Sequence, residues 1–256
     1  MATVKVLILR AAGINCDKET AHAWRLAGAE PDLVHVNRLI EQPDILDPYQ
    51  ALTIPGGFSY GDNIAHRKIL ATQIQHPLAD RIPAFVQRGG LVLGICNGLQ
   101  VLVKAGLLPG GEGGQKSVTV TYNDSAKFED RWVHLSVDTD HCVFLPRGRG
   151  LTLPIAHAEG KFVTADRETL DRLRNDNLIA LRYVDAHGHH GSFPINPNGS
   201  EDHIAGLTDA TGRILGLMPH PERFVHPTQH PHWTRLPAPP EPDGRLFFQR
   251  AVDHLS

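Results

Sequence analysis

Three cysteines stand in the chain, and one of them is placed for chemistry. Gly94-Ile95-Cys96-Asn97-Gly98 lies between a short apolar run, Leu91–Ile95, and a helical pattern over Asn97–Ala105. This is the cysteine form of the G-x-S-x-G elbow, where a sharp strand-to-helix turn holds a nucleophile in a strained backbone conformation. Glycines two residues to either side let neighbouring backbone pass. The helix start beneath the sulfur favours a thiolate and leaves the Asn97 backbone N–H free to bind an oxyanion. A buried structural cysteine between two packing glycines is the alternative. Cys16, in Gly13-Ile14-Asn15-Cys16-Asp17, also follows a strand and precedes a helix. It ranks lower, because Asp17 would raise its pKa and glycine flanks it on one side only. Cys142, beside Asp140 and His141, reads as structural or exposed.

A thiol nucleophile needs a base, and the base needs an orienting group. Among 16 histidines, His220 has the best setting: Pro219-His220-Pro221-Glu222 directly follows the apolar run Ile214–Leu217. In an extended segment residues i and i+2 share a face, so Glu222 can orient the imidazole while the imidazole reaches the sulfur. A proline-rich turn with an incidental surface pair is the bland alternative. Pro55-Gly56-Gly57-Phe58-Ser59-Tyr60-Gly61-Asp62 follows another buried run and could supply a second oxyanion donor from the Gly57/Phe58 turn; a plain tight turn is the other reading. A Walker phosphate loop is not expected: no lysine follows this segment, and Gly110–Ser117 has Gln115 where glycine is required.

These groups need a frame. Val4–Leu9 is a nearly continuous apolar run, as in a parallel strand covered on both faces. Asp17 can cap a following helix whose face carries Ala21, Trp24 and Ala27, with Gly28 as its stop. Short strands are expected at Leu33–Val36, Ala51–Ile54 and Leu91–Ile95, and helices around Ala71–Gln87 and Asn97–Ala105. Such alternation implies an α/β fold: an open, mostly parallel, doubly wound sheet with helices on both faces. Ligands in such sheets sit beyond the carboxyl ends of the strands, where Gly56-Gly57 and Cys96 fall. The middle changes period. Ser117–Thr121 and Val133–Val137 alternate apolar and polar, which suggests an added antiparallel section, and Ile179–Val184, Ile204–Leu207 and Ile214–Leu217 continue it. Phe248, Ala251, Val252 and Leu255 form the stripe of a closing helix. Asp185–Ser200 and the proline-rich His226–Asp243 resist assignment. No clear linker divides the chain, so residues 1–256 are read as one domain.

Composition narrows the classes. The 256 residues are 41% hydrophobic and 21% charged, which excludes a disordered chain, and net charge −3 offers nothing to a nucleic acid backbone. The longest apolar runs are strand-sized, so no membrane span is expected. The opening residues lack the features of a signal peptide, and the cysteines suit no disulfide framework, so a cytoplasmic location is expected.

At these residues the sequence resembles the class I, triad-type glutamine amidotransferases, and more narrowly the glutaminase subunits of phosphoribosylformylglycinamidine synthase. The stretches that carry it are Gly13–Asp17, PGGFSYGD at 55–62, GICNGLQ at 94–100, PIAHAEGKF at 154–162, NPNGS at 196–200, IAGL at 204–207 and GLMPHPERF at 216–224. The resemblance implies a flavodoxin-like sheet and a triad of Cys96, His220 and Glu222. Its oxyanion hole would use Asn97 with Gly57 and Phe58, and Gln100 would contact bound L-glutamine. It implies hydrolysis of glutamine through a cysteinyl thioester. Ammonia would pass to an ATP-dependent synthetase subunit that makes formylglycinamidine ribonucleotide from formylglycinamide ribonucleotide, with a small bridging subunit completing the complex. No cofactor or metal is expected in this chain; ATP and Mg belong to the partner. His157 and Glu159 are read as a binding or interface loop. The family usually has glycine where this chain has Ala158, and both irregular segments are longer than in compact members.

Two other classes remain open at this point. His187, His189 and His190, or His226, His230 and His232, could hold zinc, although they lie in proline- or glycine-rich loops without a fixed face. A non-catalytic binding module that keeps the fold is the other.

Overall fold

The structure, a computed structural model, describes residues 3–58, 78, 80–111, 117–236 and 241–256. Its frame is a nine-stranded sheet in the order β2-β1-β3-β4-β11-β10-β9-β6-β7. The strands β1 (Lys5–Arg10), β2 (Glu30–His35), β3 (Ala51–Ile54), β4 (Leu91–Ile95) and β11 (Ile214–Leu217) pair in parallel. Every residue of β3, β4 and β11 is buried, which explains why these segments read as unbroken apolar runs. Strand order reverses between β1 and β3, the crevice where doubly wound sheets place ligands.

Helices close over this half. In α1 (Asp17–Leu26) Trp24 is fully buried, donates its indole N–H to Thr53 Oγ1 at 3.0 Å and meets Phe248 edge-on at 5.3 Å. Burying side chains of this size contributes about 2–3 kcal/mol each. Phe248 belongs to the closing helix, α6 (Asp243–Leu255), as its apolar stripe predicts. Asp17 is not the cap. Cys16 takes that position without a side-chain bond, and Asp17, first in the helix, pairs with Arg10 at 2.7 Å. Gly28, at φ +90°, lies two residues beyond Leu26. The chain also forms α2 (Val36–Glu41). The helix expected around 71–87 is seen as α3 (Arg81–Gln87); residues 59–77, 79, 112–116 and 237–240 lie outside the described residues, including Ser59–Asp62 of the glycine-rich loop and most of the rejected phosphate loop.

The antiparallel section is larger than the sequence suggested. Strands β10 (Ile204–Thr208), β9 (Ile179–Val184), β6 (Glu129–Val137) and β7 (Gly150–His157) continue the sheet from β11. Strand β5 (Val118–Thr121) and β8 (Lys161–Thr164) form a separate ladder. The sequence reading missed β7, β8 and α5 (Arg167–Asn175). Pro154 obscured β7, whose Leu151, Leu153 and Ile155 alternate inward. It is tolerated because β7 is the edge strand.

The NPNGS segment, within the irregular stretch, is a buried polar clamp. Asn198 Nδ2 donates to the Gly160 carbonyl at 2.8 Å, Ser200 Oγ donates to Asn198 Oδ1 at 2.7 Å, and Phe162 N–H donates to Ser200 Oγ at 3.0 Å. Gly199, at φ +78°, turns the chain against Asp124. The clamp holds the loop 157–160 beside the carboxyl edge of the sheet.

Candidate active site

Cys96 sits between β4 and α4 (Asn97–Lys104) with φ 50° and ψ −103°, the strained elbow conformation that the motif requires. The surrounding chain over-determines it. Its N–H donates to the Leu217 carbonyl at 2.7 Å, tying the elbow to the end of β11. A Cβ on Gly98 would collide with the Ile54 carbonyl, and one on Gly94 would lie 2.9 Å from the Gly98 carbonyl. Both glycines are therefore steric requirements of the turn. The Cys96 sulfur lies 3.9 Å from the Ala156 carbonyl of β7.

His220 and Glu222 arrive from the turn after β11. The expected extended geometry is not what joins them: Pro221–Arg223 is a 3-10 turn. It brings the carboxylate onto the ring, with His220 Nδ1 donating to Glu222 Oε1 at 2.6 Å, both side chains at most 2% exposed. His220 Nε2 has no partner among the described residues. Burial pushes the imidazole pKa down, but the Glu222 carboxylate and the Cys96 sulfur overcome it and hold the pKa well above its ordinary value. A cavity of about 70 Å³ is lined by Cys96, His220, Gly57 and Phe58, with Cys16 and Arg223.

The oxyanion donors divide unexpectedly. Phe58 N–H, one of the expected donors, is bonded to the Gly13 carbonyl at 2.8 Å in this conformation. Gly57 N–H, at φ +138°, donates to no group among the described residues. Asn97 N–H lies in the first turn of α4, where backbone donors lack intrahelical acceptors. Gln100 is buried and does not line the cavity. Its Nε2 donates to the Glu159 carbonyl at 2.6 Å, so here it braces the 157–160 loop.

Two residues ranked lower in the sequence lie close by. Cys16 is 1% exposed; its sulfur accepts from Arg223 Nη2 at 3.2 Å and donates to Asn15 Oδ1 at 3.3 Å. Burial raises its pKa, and the neighbouring His220 only partly offsets this. His157 faces Asn123 Oδ1 at 3.1 Å, an oxygen that also accepts Gly160 N–H. Nδ1 therefore carries the proton. Burial, with the nearby His220, lowers the His157 pKa to about 3. Neither histidine trio converges on a metal. His190 stacks on His203 at 4.6 Å, and the one cluster with ligand spacing among the described residues is Cys16, His220 and Glu222.

Compared with known proteins, the chain matches the family model of the CobB/CobQ-like glutamine amidotransferase domain over residues 3–255, which defines its class. It is 43% identical over 254 residues to the phosphoribosylformylglycinamidine synthase subunit PurQ of Dehalococcoides mccartyi, covering 98% of both chains. To the subunit of the same name from Methanococcus maripaludis it is 42% identical over 234 residues, covering 90% of this chain and 85% of the relative. A chain in the structure of PurLQS from Thermotoga maritima superposes with a TM-score of 0.75 at 30% identity, covering 100% of each. The chain belongs to the PurQ family of phosphoribosylformylglycinamidine synthase subunits. Among its described residues no helix is long and apolar enough to cross a membrane.

Proposed function

We propose that this chain, acting as one domain over residues 1–256, is the glutaminase subunit of a phosphoribosylformylglycinamidine synthase. The Cys96 sulfur attacks the side-chain amide carbon of L-glutamine, and the N–H groups of Asn97 and Gly57 receive the developing oxyanion. His220, held protonated by Glu222, passes its Nε2 proton to the departing nitrogen, which leaves as ammonia. Neutral His220 then takes a proton from the water that opens the glutamyl thioester, releasing glutamate and restoring the protonated imidazole and the unprotonated sulfur with which the cycle began. Gln100 acts on the substrate through its hold on Glu159. Ammonia goes to a synthetase subunit that supplies ATP and Mg chemistry, with a small bridging subunit joining the two, in the cytoplasm. No cofactor is assigned to this chain.

The observation that carries this reading is the buried 2.6 Å His220–Glu222 pair, whose open Nε2 shares a small cavity with the strained Cys96. The test uses the chain with its synthetase and bridging subunits. Cys96→Ser should reduce glutamine-dependent synthesis by at least about a thousandfold, while ammonium salts still support product formation. Intact glutamine-dependent turnover would overturn the assignment.

A further inference from the structure

Cys16 has no part in the triad chemistry, yet it stands within it. Its sulfur, one ring nitrogen of His220 and one carboxylate oxygen of Glu222 lie within 4.8 Å of one another, and all three residues are buried. His220 Nε2 and Glu222 Oε2 have no hydrogen-bond partner among the described residues. Sulfur, imidazole and carboxylate are the donor set of zinc. The adjoining cavity of about 70 Å³ has room for a further ligand, a water or the Cys96 sulfur on its wall.

We propose that Cys16, His220 and Glu222 form a binding site for a thiophilic divalent cation, zinc above all, and that its occupancy switches the glutaminase off. Binding releases the Cys16 thiol proton and one imidazolium proton of His220 to solvent, and forms a metal–thiolate and a metal–nitrogen bond. The same event takes a His220 nitrogen and the Glu222 carboxylate away from catalysis. Arg223 is the group that opposes a cation here. It leaves the sulfur but keeps its second bond, from Nε to Glu19 at 3.1 Å. The inhibitory half of the proposal rests on the reading of His220 as the base.

Cadmium added to the full chain should give one equivalent of bound metal and a cadmium–thiolate absorption band. The band should survive in Cys96→Ser and vanish in Cys16→Ser and Cys16→Ala, each variant being checked for the native circular dichroism spectrum. In the assembled complex, zinc should block glutamine-dependent but not ammonium-dependent synthesis. The zinc concentration for half-inhibition, taken against each variant's own metal-free rate, should rise about tenfold or more in the Cys16 variants. A band lost in Cys96→Ser and kept in Cys16→Ser, or no stoichiometric binding, would overturn the site. Tight binding through Cys16 with undiminished glutamine hydrolysis would instead sink the role of His220 as base.

Discussion

The backbone N–H of His220 donates to the carbonyl of Pro154 at 2.8 Å. This bond joins the turn after the parallel half of the sheet to the free edge of β7, at the far end of the antiparallel extension. Ala156, two residues further along β7, faces the Cys96 sulfur. The added strands therefore form the far wall of the site, and His220 hangs from that wall.

Glu222 keeps His220 protonated beyond the ordinary imidazole range. With a raised pKa the proton is retained as pH rises through neutrality, and the acid function fails only on the alkaline side. Glu222→Gln should move that alkaline limb of kcat/KM to lower pH. It should also reduce kcat by between about a hundredfold and ten-thousandfold. A pH–rate profile of the assembled complex decides this; an unmoved alkaline limb would refute the pairing.

His157 reports on stability. Its unfolded imidazole takes up a proton near the ordinary 6.5 and its folded one only near 3. Between these values the unfolded state binds more protons, so acidification favours unfolding. The contribution lost is about 2 kcal/mol on going from neutral pH to pH 5. Urea denaturation as a function of pH should show this slope, reduced in His157→Gln. Equal slopes would refute the argument.

Gly244 is the second residue of α6, and a Cβ there would collide with the Pro221 carbonyl and stand 2.6 Å from that of Phe224. In an open helix Gly→Ala stabilises by about 1 kcal/mol. Here Gly244→Ala should destabilise by about 1–3 kcal/mol instead. It should also lower kcat more than it raises KM, because the helix presses on the turn that carries Glu222. Thermal melting and steady-state kinetics check both effects.

Much of this was legible along the chain. Leu91–Ile95 and the helix beginning at Asn97 appear as read, because continuous apolar runs and glycine spacing are local signals of burial and tight turns. Pro219 to Glu222 pointed to the proposed base and orienting group for the same reason, although a 3-10 turn rather than an extended strand brings His220 and Glu222 together. The edge strand β7 escaped notice because its proline reads as an interruption until its place at the sheet margin is known. Helix α5 escaped because only Thr169 and Leu173 of it are buried.

From the sequence alone come the α/β class, the proposed nucleophile at residue 96 and its proposed partners at 220 and 222, since each is marked by neighbours a few positions away. Only the folded chain decides that Cys16 lies beside His220 and Glu222, that the Phe58 N–H is held by Gly13, and that Pro154 supports His220. Those relationships link residues tens to hundreds of positions apart, and sheet order and curvature create them, which no local pattern encodes.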